Sequence, residues 1–333
     1  MNLKVGIIGL GVGEKHLAAY KAHPECEVVA LCDFSEEKMA MSREKYPGIM
    51  FTNEADRLLE NPDINLISIA SYDNYHYDQC VKAIENGKHI FVEKPLCLYT
   101  EEAVHLRQLL KENTDLKMSS NLVLRTIPRF RKLKKMVQNG ELGELFYVEG
   151  DYNYGRLHKI TEGWRGKLDF YSVFYGGGVH IIDLLLWLTG DRIIEVSACG
   201  NQIASRSSGF QYNDMVVSLL KFQSGMIGKV SSNFGCVLPH FHSLQIYGTN
   251  ATFINSKEHG RLVDSREHNE PEKQITEVYP GADQGTVISS FVNSILGRTE
   301  PMVTAENIFE VMSVCFAIEK ASHQSRSVMV EYI

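Results

Sequence analysis

The chain has 333 residues, of which 44% are hydrophobic and 23% are charged, and its formal net charge is −7. This composition is typical of a globular protein, and the length favours two domains over one. The excess of acidic residues argues against a general binder of nucleic acid or of anionic membranes, because such a protein needs a basic surface.

The seven cysteines lie far apart and form no C-x-x-C pair, so they suggest neither a zinc ribbon nor a redox pair. They fit buried thiols in a reducing cytosol. The N-terminal apolar run is short and is followed by Glu14 and Lys15, which argues against a signal peptide. The run HIIDLLLWL is too short to span a bilayer and contains Asp183. We therefore expect a cytoplasmic protein without a membrane partner.

Residues 1–121 alternate short apolar runs with segments of helical periodicity. The predicted strands are 3–8, 27–33, 64–71, 89–94 and 116–123. The predicted helices are 14–23, 35–46, 78–88 and 100–113, with Ser35 and Thr100 as N-caps. This alternation predicts parallel βαβ units, and hence an α/β domain built on a doubly wound, Rossmann-type sheet.

The pattern changes in residues 122–333, where alternating strands predominate. Strands are predicted at 144–154, 193–204, 214–222, 225–235, 241–248 and 251–255. Helices are predicted at 128–140, 179–189, 285–296 and 304–322. We expect a second, α+β domain with a large, open and mostly antiparallel sheet, whose C-terminal helices are able to pack back on the first domain.

The segment GIIGLGVGEKH joins the first predicted strand to the first helix. It nearly matches the dinucleotide-binding pattern G-x-G-x-x-G, with Gly9 and Gly11 in place and a third glycine, Gly13, one residue early. Glycines at this point let the backbone amides of the loop, including that of Val12, approach a pyrophosphate at a helix N-terminus. Gly13 is expected to allow close packing of the helix on the strand.

Asp33 ends the second predicted strand, 20 residues after Gly13. An acid at that point accepts hydrogen bonds from the hydroxyls of the adenosine ribose. Phe34 follows, where an NADP site often has an arginine, and Asp33 would repel a 2′-phosphate. The sequence therefore favours NAD over NADP. The alternative is that Asp33 is a strand-end turn residue and that the glycines serve only steric needs.

Two further groups are suited to proton transfer. Lys94 lies in FVEKPL, at the carboxyl end of a strand, where ligands bind in open α/β sheets. Pro95, which follows it, is a candidate for a cis bond. His180 and Asp183 form an H-x-x-D pair on one side of a helix, and histidine suits proton transfer near neutral pH. The alternatives are a solvated lysine, a capping or core histidine, and a buried structural acid; no third ligand supports a metal site.

Taken together, IGLGVGEKH, CDFSEEK, ISIASYDNYH, GKHIFVEKPL, NLVLRTIP and GGGVHIIDLLLWLTG resemble the glucose–fructose oxidoreductase/inositol dehydrogenase (Gfo/Idh/MocA) family. The resemblance implies hydride transfer between a nicotinamide cofactor and a hydroxyl or ketone of a sugar or cyclitol. It implies that Lys94 is catalytic, that Glu93 lies by the nicotinamide ribose, and that His180 is a catalytic histidine across an interdomain cleft. It also implies a homodimer or homotetramer formed through the outer face of the second sheet.

The chain departs from the family pattern in two places. Many members have an aspartate four residues before the histidine, where this chain has Gly176. Either Tyr175, Asp169 or Asp183 takes over part of its role, or the chemistry differs from that of the family. Ser71 and His76 match a second family motif, whereas Tyr72 and Asp73 replace its Pro-Asn pair. We expect Ser71, Tyr72 and His76 near the cofactor, with Tyr72 against the nicotinamide end and a helix cap as the alternative for His76.

The resemblance places Asn121 and Arg125 at a region that faces substrate, and Arg125 suits an anionic group. The alternative for Arg125 is a surface salt bridge. Tyr154, Trp164 and Arg165 belong to a loop whose rings and donors suit a sugar; the alternative is that these aromatics fill an interface. His240 and His242 are not assigned to the site.

The sequence thus predicts an NAD(H)-dependent dehydrogenase acting on a secondary hydroxyl of a sugar, a phosphorylated or nucleotide-linked sugar, or a cyclitol. A non-catalytic NAD(H)-binding sensor on the same scaffold is the alternative.

Overall fold

The computed structural model describes residues 2–267 and 269–333, and the chain divides into two compact units. The first unit comprises Met1–Val123, Asp283–Phe309 and Ile333. The second comprises Leu124–Ala282 and Glu310–Tyr332.

The first unit contains a six-stranded parallel sheet. Its strands are β1 (Leu3–Ile8), β2 (Cys26–Cys32), β3 (Met50–Thr52), β4 (Leu66–Ile69), β5 (His89–Val92) and β6 (Met118–Ser120). Its first helices are α1 (Gly13–Ala22), α2 (Glu36–Lys45), α3 (Asp56–Leu59), α4 (His76–Glu85) and α5 (Thr100–Glu112). The strand order is β3-β2-β1-β4-β5-β6, so the sheet winds in opposite directions from β1, as in the predicted Rossmann-type fold.

The two predicted helix caps have different outcomes. Ser35 is the N-cap of α2, and its side chain accepts a hydrogen bond from the backbone N of Lys38. The assignment of Thr100 as a cap is wrong, because α5 begins at that residue and Tyr99 is the N-cap. The Glu102 carboxylate accepts from the backbone N–H of Tyr99 at 3.2 Å and from that of Leu98 at 2.9 Å, so Glu102 satisfies the two backbone donors just before the helix.

The second unit contains a nine-stranded sheet in the order β14-β13-β12-β11-β7-β10-β9-β8-β15. Its strands are β7 (Leu145–Asn153), β8 (Ile193–Asn201), β9 (Met215–Phe222), β10 (Ile227–Asn233), β11 (Phe241–Gly248), β12 (Thr252–Asn255), β13 (Gly260–Val263), β14 (Lys273–Ile275) and β15 (Val328–Met329). Among the strand pairs of this sheet that the structure describes, only β7 and β10 are parallel, so the mostly antiparallel α+β domain is confirmed.

The remaining helices are α6 (Pro128–Gln138), α7 (His158–Thr161), α8 (Val179–Thr189), α9 (Gln284–Ile295) and α10 (Ala305–Gln324). Helix α9 belongs to the first unit and packs on α1. Helix α8 packs on β7 in the second unit, where a side chain at Gly150 would collide with Ile181. This glycine therefore lets α8, which carries His180, approach the sheet closely. None of the helices described reaches the length and apolarity that a bilayer span requires.

Candidate active site

The glycine loop follows β1 at the carboxyl edge of the parallel sheet. Gly9 has a φ of +92°, and a side chain there would collide with the carbonyl of Ala70, so only glycine fits. A Cβ at Gly13 would lie 3.1 Å from Cγ2 of Ile7, which is the close helix–strand packing expected of this residue. A Cβ at Gly11 would meet no atom within 4 Å, so the space beside the loop is open.

Asp33 follows β2 and binds the glycine loop directly. The backbone N of Leu10 donates to its Oδ2 at 2.7 Å, and the backbone N of Ser35 donates to its Oδ1 at 2.8 Å. Lys38 Nζ lies 3.5 Å from Oδ2. Asp33 thus acts as a strand-end turn residue, which was the alternative to a cofactor-binding acid. Each of its carboxylate oxygens also retains a lone pair that can accept from a further donor.

Phe34 and Tyr72 form an edge-to-face pair at the same edge of the sheet, with ring centroids 5.3 Å apart. The Phe34 side chain is 61% exposed, and it directly follows Asp33. Tyr72 therefore packs on the residue that follows Asp33. Its place against the nicotinamide end of a cofactor stays a prediction.

His76 is fully buried at the start of α4 and connects two loops. Its Nδ1 lies 2.6 Å from the carbonyl oxygen of Pro95, and its Nε2 lies 3.2 Å from that of Ser71. The Ser71 hydroxyl donates to Gln79 Oε1. The bond between Lys94 and Pro95 is cis. His76 thus holds the loop after β4 to the loop after β5 through backbone atoms.

Glu93 and Lys94 come directly after β5, at the carboxyl edge of the sheet, as predicted. Glu93 is buried, and its Oε2 lies 3.3 Å from the backbone N of Lys94. His16 Nε2 lies 3.1 Å from Glu93 Oε1, and Asn121 Nδ2 donates to the same oxygen at 2.7 Å. Burial alone would raise the pKa of Glu93, but the hydrogen bond and charge of His16, with Lys94 and Asn121, hold it below its usual value.

His16 has no predicted role in the sequence. The signal was present, since His16 lies three residues after Gly13 on the face of α1 that also carries buried Leu17 and Tyr20. Asn121 was expected to face substrate, and the structure shows its amide nitrogen bound to Glu93.

In the second unit, a π-helical segment, Phe174–Gly178, leads into α8. A side chain at Gly176 would collide with the Tyr171 hydroxyl, and one at Gly177 would collide with the Tyr152 ring. These glycines let aromatic groups pack directly against the backbone. The Tyr171 hydroxyl therefore leaves no room for an aspartate side chain at position 176.

The other candidates to replace that aspartate differ in exposure. Tyr175 is 4% exposed and packs edge-to-face on Phe170 and Phe316. Asp169 is exposed, and its carbonyl oxygen accepts from the Tyr212 hydroxyl.

His180 is buried in an aromatic cluster. Its ring is stacked on that of Tyr152, with centroids 5.9 Å apart, and Tyr152 is stacked in turn on Tyr154 at 5.6 Å. His240 and His242 also contact the Tyr152 ring. These two histidines were not predicted to belong to the site, although His242 is the cross-strand partner of Tyr152.

Arg125 and Asp183 form a buried ion pair. Nε of Arg125 lies 3.0 Å from Oδ1 of Asp183 and 3.1 Å from its Oδ2, and both side chains are at most 5% exposed. Burial raises the pKa of Asp183, and the charge of Arg125 opposes that rise. The alternative of a surface salt bridge for Arg125 is therefore wrong, because the pair is buried. Asp183 is a buried acid, as its own alternative in the sequence analysis stated.

The loop after β7 carries two arginines that lie over aromatic rings. The Arg165 guanidinium is 4.5 Å from the centroid of Trp164, and that of Arg156 is 5.0 Å from the centroid of Tyr154. Trp164 and Arg165 are half-buried. Among the residues that the structure describes, no group of three or more His, Cys, Asp or Glu side chains is arranged to hold a metal.

Comparisons with known proteins agree with this arrangement of elements. The chain is 22% identical to the myo-inositol 2-dehydrogenase of Thermotoga maritima, over 99% of both chains. It is 24% identical to the scyllo-inositol 2-dehydrogenase (NADP(+)) of Bacillus subtilis, over 99% of this chain and 97% of that protein. The fold matches the crystal structure of scyllo-inositol dehydrogenase from Lactobacillus casei with bound NAD(H) and scyllo-inositol, with a TM-score of 0.83, 20% identity and 99% of each chain covered.

Two family models together cover most of the chain. Residues 3–120 match a model described as an oxidoreductase family with an NAD-binding Rossmann fold. Residues 130–254 match the GFO/IDH/MocA C-terminal domain. Since both domains match in the expected order, this chain belongs to the Gfo/Idh/MocA family of oxidoreductases.

Proposed function

We propose that this protein is an NAD-dependent dehydrogenase that acts on a secondary hydroxyl or ketone of a cyclitol or sugar. The observation that supports it most is the carboxyl edge of the parallel sheet, where an open glycine loop, Asp33 and the Glu93–Lys94 pair occur together. In a doubly wound sheet, a dinucleotide binds across this edge. The inositol dehydrogenases to which the chain is similar support the substrate class.

The residues of this edge fit a dinucleotide. The space beside Gly11 is open and Val12 is 43% exposed, so the loop amides at the start of α1 can receive a pyrophosphate. Asp33 would bind the adenosine ribose, and its carboxylate would repel a 2′-phosphate. Lys38, 3.5 Å away, offsets part of that charge, but no arginine follows Asp33. These features favour NAD, although one relative is named for NADP.

A bound nicotinamide cofactor supplies or accepts the hydride. The chain's own residues must then manage the proton and the charge on the substrate oxygen. The Lys94 ammonium, on a fixed backbone after β5, is suited to stabilise a developing alkoxide. His180 is suited to take up or return the proton near neutral pH. Arg125 holds Asp183, so we assign that pair to positioning α8 rather than to proton transfer.

The aromatic cluster of the second unit supports a ring-shaped, hydroxylated substrate. Tyr154 is half-buried, and the Arg165 guanidinium lies over the ring of Trp164. Aromatic faces and hydrogen-bond donors therefore occur side by side. Such surfaces stack on sugar rings and bind their hydroxyls. Arg165 extends the proposed range to phosphorylated or nucleotide-linked sugars.

The proposal is tested with purified protein, NAD and a panel of cyclitols, free sugars, sugar phosphates and nucleotide sugars, by following NADH absorbance. Turnover is expected on at least one member. Lys94→Ala and His180→Ala should abolish turnover while NAD binding persists. Lys111→Ala, at an exposed position of the first unit, should keep the wild-type turnover. Tight NAD binding without turnover on the whole panel would instead indicate the sensor.

We also propose that the nine-stranded sheet mediates self-association. Leu219 and Ile227, on one face of β9 and β10, are 62% and 56% exposed. Sedimentation velocity should show a dimer or tetramer, and Leu219→Glu should shift it towards the monomer. A monomeric wild-type protein at micromolar concentration would exclude this assembly.

A further inference from the structure

A continuous chain of buried side chains runs beneath the carboxyl edge of the parallel sheet. His16 Nδ1 lies 3.0 Å from the Ser68 hydroxyl, and its Nε2 lies 3.1 Å from Glu93 Oε1. Asn121 Nδ2 donates to that same oxygen at 2.7 Å. His16 and Ser68 are fully buried, and Glu93 and Asn121 are at most 8% exposed. The chain links α1 to the ends of β4, β5 and β6.

These bonds fix the orientation of the Glu93 carboxylate. Oε1 has two partners, His16 and Asn121. His16 precedes β5 in the chain, and Asn121 follows it. Oε2 faces the backbone N of Lys94 at 3.3 Å and retains acceptor capacity, since a carboxylate oxygen accepts more than one hydrogen bond. The position of Oε2 is therefore set by what holds Oε1.

Asn121 provides a second, independent observation. Its Oδ1 is buried, and no donor in the described part of the chain reaches it. The amide cannot turn over to correct this, because Oδ1 would then face the Glu93 carboxylate. A buried acceptor without a donor is costly, so such an oxygen points to a donor from a ligand. A hydroxyl or an amide N–H of the ligand would supply that donor.

The sheet order indicates which part of the ligand this is. Asp33 follows β2, on one side of β1, whereas Glu93 and Asn121 follow β5 and β6, on the other side. A dinucleotide that has its adenosine ribose at Asp33 and crosses the sheet at β1 brings its nicotinamide half towards β5 and β6.

We propose that His16 is a positioning residue: it holds Glu93 and, through it, Asn121 so that their free oxygens bind the hydroxyls or amide of the nicotinamide half of the cofactor next to Lys94. This inference rests on the proposed function. The competing explanation is that His16 merely ties α1 to the sheet through Ser68.

Two amide substitutions separate these explanations. In His16→Gln the amide nitrogen reaches the place of Nε2 and can still donate to Glu93. In His16→Asn it reaches only the place of Nδ1, so the bond to Ser68 can form and the bond to Glu93 is lost. Both variants bury a similar polar group, so they form a matched pair. Ser68→Ala, which removes the other partner of His16 and leaves the bond to Glu93 in place, is the control.

The first measurement is binding, with NADH and ADP as probes. ADP has the adenosine ribose and both phosphates but no nicotinamide half. His16→Asn should weaken NADH binding about tenfold relative to His16→Gln, the worth of one hydrogen bond to a charged group, and should leave ADP affinity unchanged. Equal NADH affinities in two folded variants, or equal losses for NADH and ADP, would overturn the proposal.

The second measurement is steady-state kinetics with a substrate found in the panel. His16→Asn should lower kcat by about tenfold to a hundredfold, because the Glu93 carboxylate next to Lys94 is no longer oriented. His16→Gln should keep most of the wild-type kcat. If Ser68→Ala lowers kcat as much as His16→Asn, the role is structural. A wild-type protein that binds ADP but not NADH would refute the proposed function itself, which is a distinct result.

Discussion

Arg125 and Asp183 hold helix α8 in place through a buried, bidentate ion pair. Nη2 of Arg125 lies 2.6 Å from Oδ1 of Asp183, and the Asp183 side chain has no exposed surface. Asp183 lies three residues after His180 on α8, so the pair sets the rotation of the helix that presents the histidine. The relationship explains an acid in the otherwise apolar segment HIIDLLLWL.

Removing one partner of this pair should be costly. Asp183→Asn leaves the Arg125 guanidinium buried without its counter-charge, which typically costs about 3–5 kcal/mol. Urea unfolding followed by circular dichroism should show this loss in the free energy of unfolding. Glu310→Gln is the control, because it breaks a half-exposed pair with Arg192 at 3.6 Å and should cost less than about 1 kcal/mol. Similar losses in both variants would contradict the assignment.

Gly176 should not tolerate a side chain while Tyr171 keeps its hydroxyl. Gly176→Ala should destabilise the protein by about 1–3 kcal/mol, because the new methyl group meets the Tyr171 hydroxyl in a filled core. In a Tyr171→Phe background the cost should fall, although Cζ would remain 2.9 Å away. Thermal or urea unfolding of the single and double variants measures the coupling.

Gly209→Ala is the matched control for this prediction. A Cβ at Gly209 would meet no atom within 4 Å, so the free energy of unfolding should change little. Additive effects of Gly176→Ala and Tyr171→Phe would show that the hydroxyl is not what excludes the side chain.

Local patterns were enough to predict most of the fold. Strand β1 and helix α8 have the predicted bounds, because their periodicity depends only on neighbouring residues. The strands β3, β13, β14 and β15 and the helices α3 and α7 were not predicted. Each has two to four residues, too few to show a period, and the strands form only through pairing with other chain segments.

The candidate site shows the same limit more sharply. Motifs pointed to Lys94 and His180, but their supporting contacts could not be read from the sequence. His16 and Glu93 are 77 residues apart, and Arg125 and Asp183 are 58 apart. Such pairs depend on the packing of whole elements, so a sequence pattern indicates the reactive group before it indicates what holds that group.

Asp33 should govern both the affinity and the choice of cofactor. Asp33→Ala removes a ribose acceptor and the acceptor for the backbone N of Leu10, so NADH affinity should fall by about tenfold or more. The preference for NADH over NADPH should shrink, because the charge that repels a 2′-phosphate is gone. Fluorescence titration with both cofactors measures the two effects.

Lys38→Met is the control for this prediction. It removes the cation 3.5 Å from Asp33 but leaves the carboxylate, so NADH affinity should be kept and NADPH affinity should fall. Tighter binding of NADPH than of NADH by the wild-type protein would contradict the role given to Asp33.

His242 should make the protein less stable in mild acid. Burial, together with the charge of His240, lowers the pKa of His242 to about 3 from its usual 6.5. Between these two values the unfolded chain binds a proton that the folded chain does not, so stability is complete above pH 6.5 and falls as the pH is lowered. The linkage slope predicts a loss of about 2 kcal/mol between pH 7 and pH 5.

The His242→Phe variant isolates this effect, because it keeps an aromatic ring beside Tyr152 and Tyr279 but cannot titrate. The variant loses the bond between Nδ1 and the Tyr279 hydroxyl, so its stability at pH 7 should be lower. Its decline from pH 7 to pH 5 should nevertheless be smaller by about 2 kcal/mol. His158→Phe, at an exposed position, should keep the wild-type decline. Because the comparison uses differences between two pH values, the lost hydrogen bond cancels, and equal declines in all three proteins would show that His242 takes up its proton without unfolding.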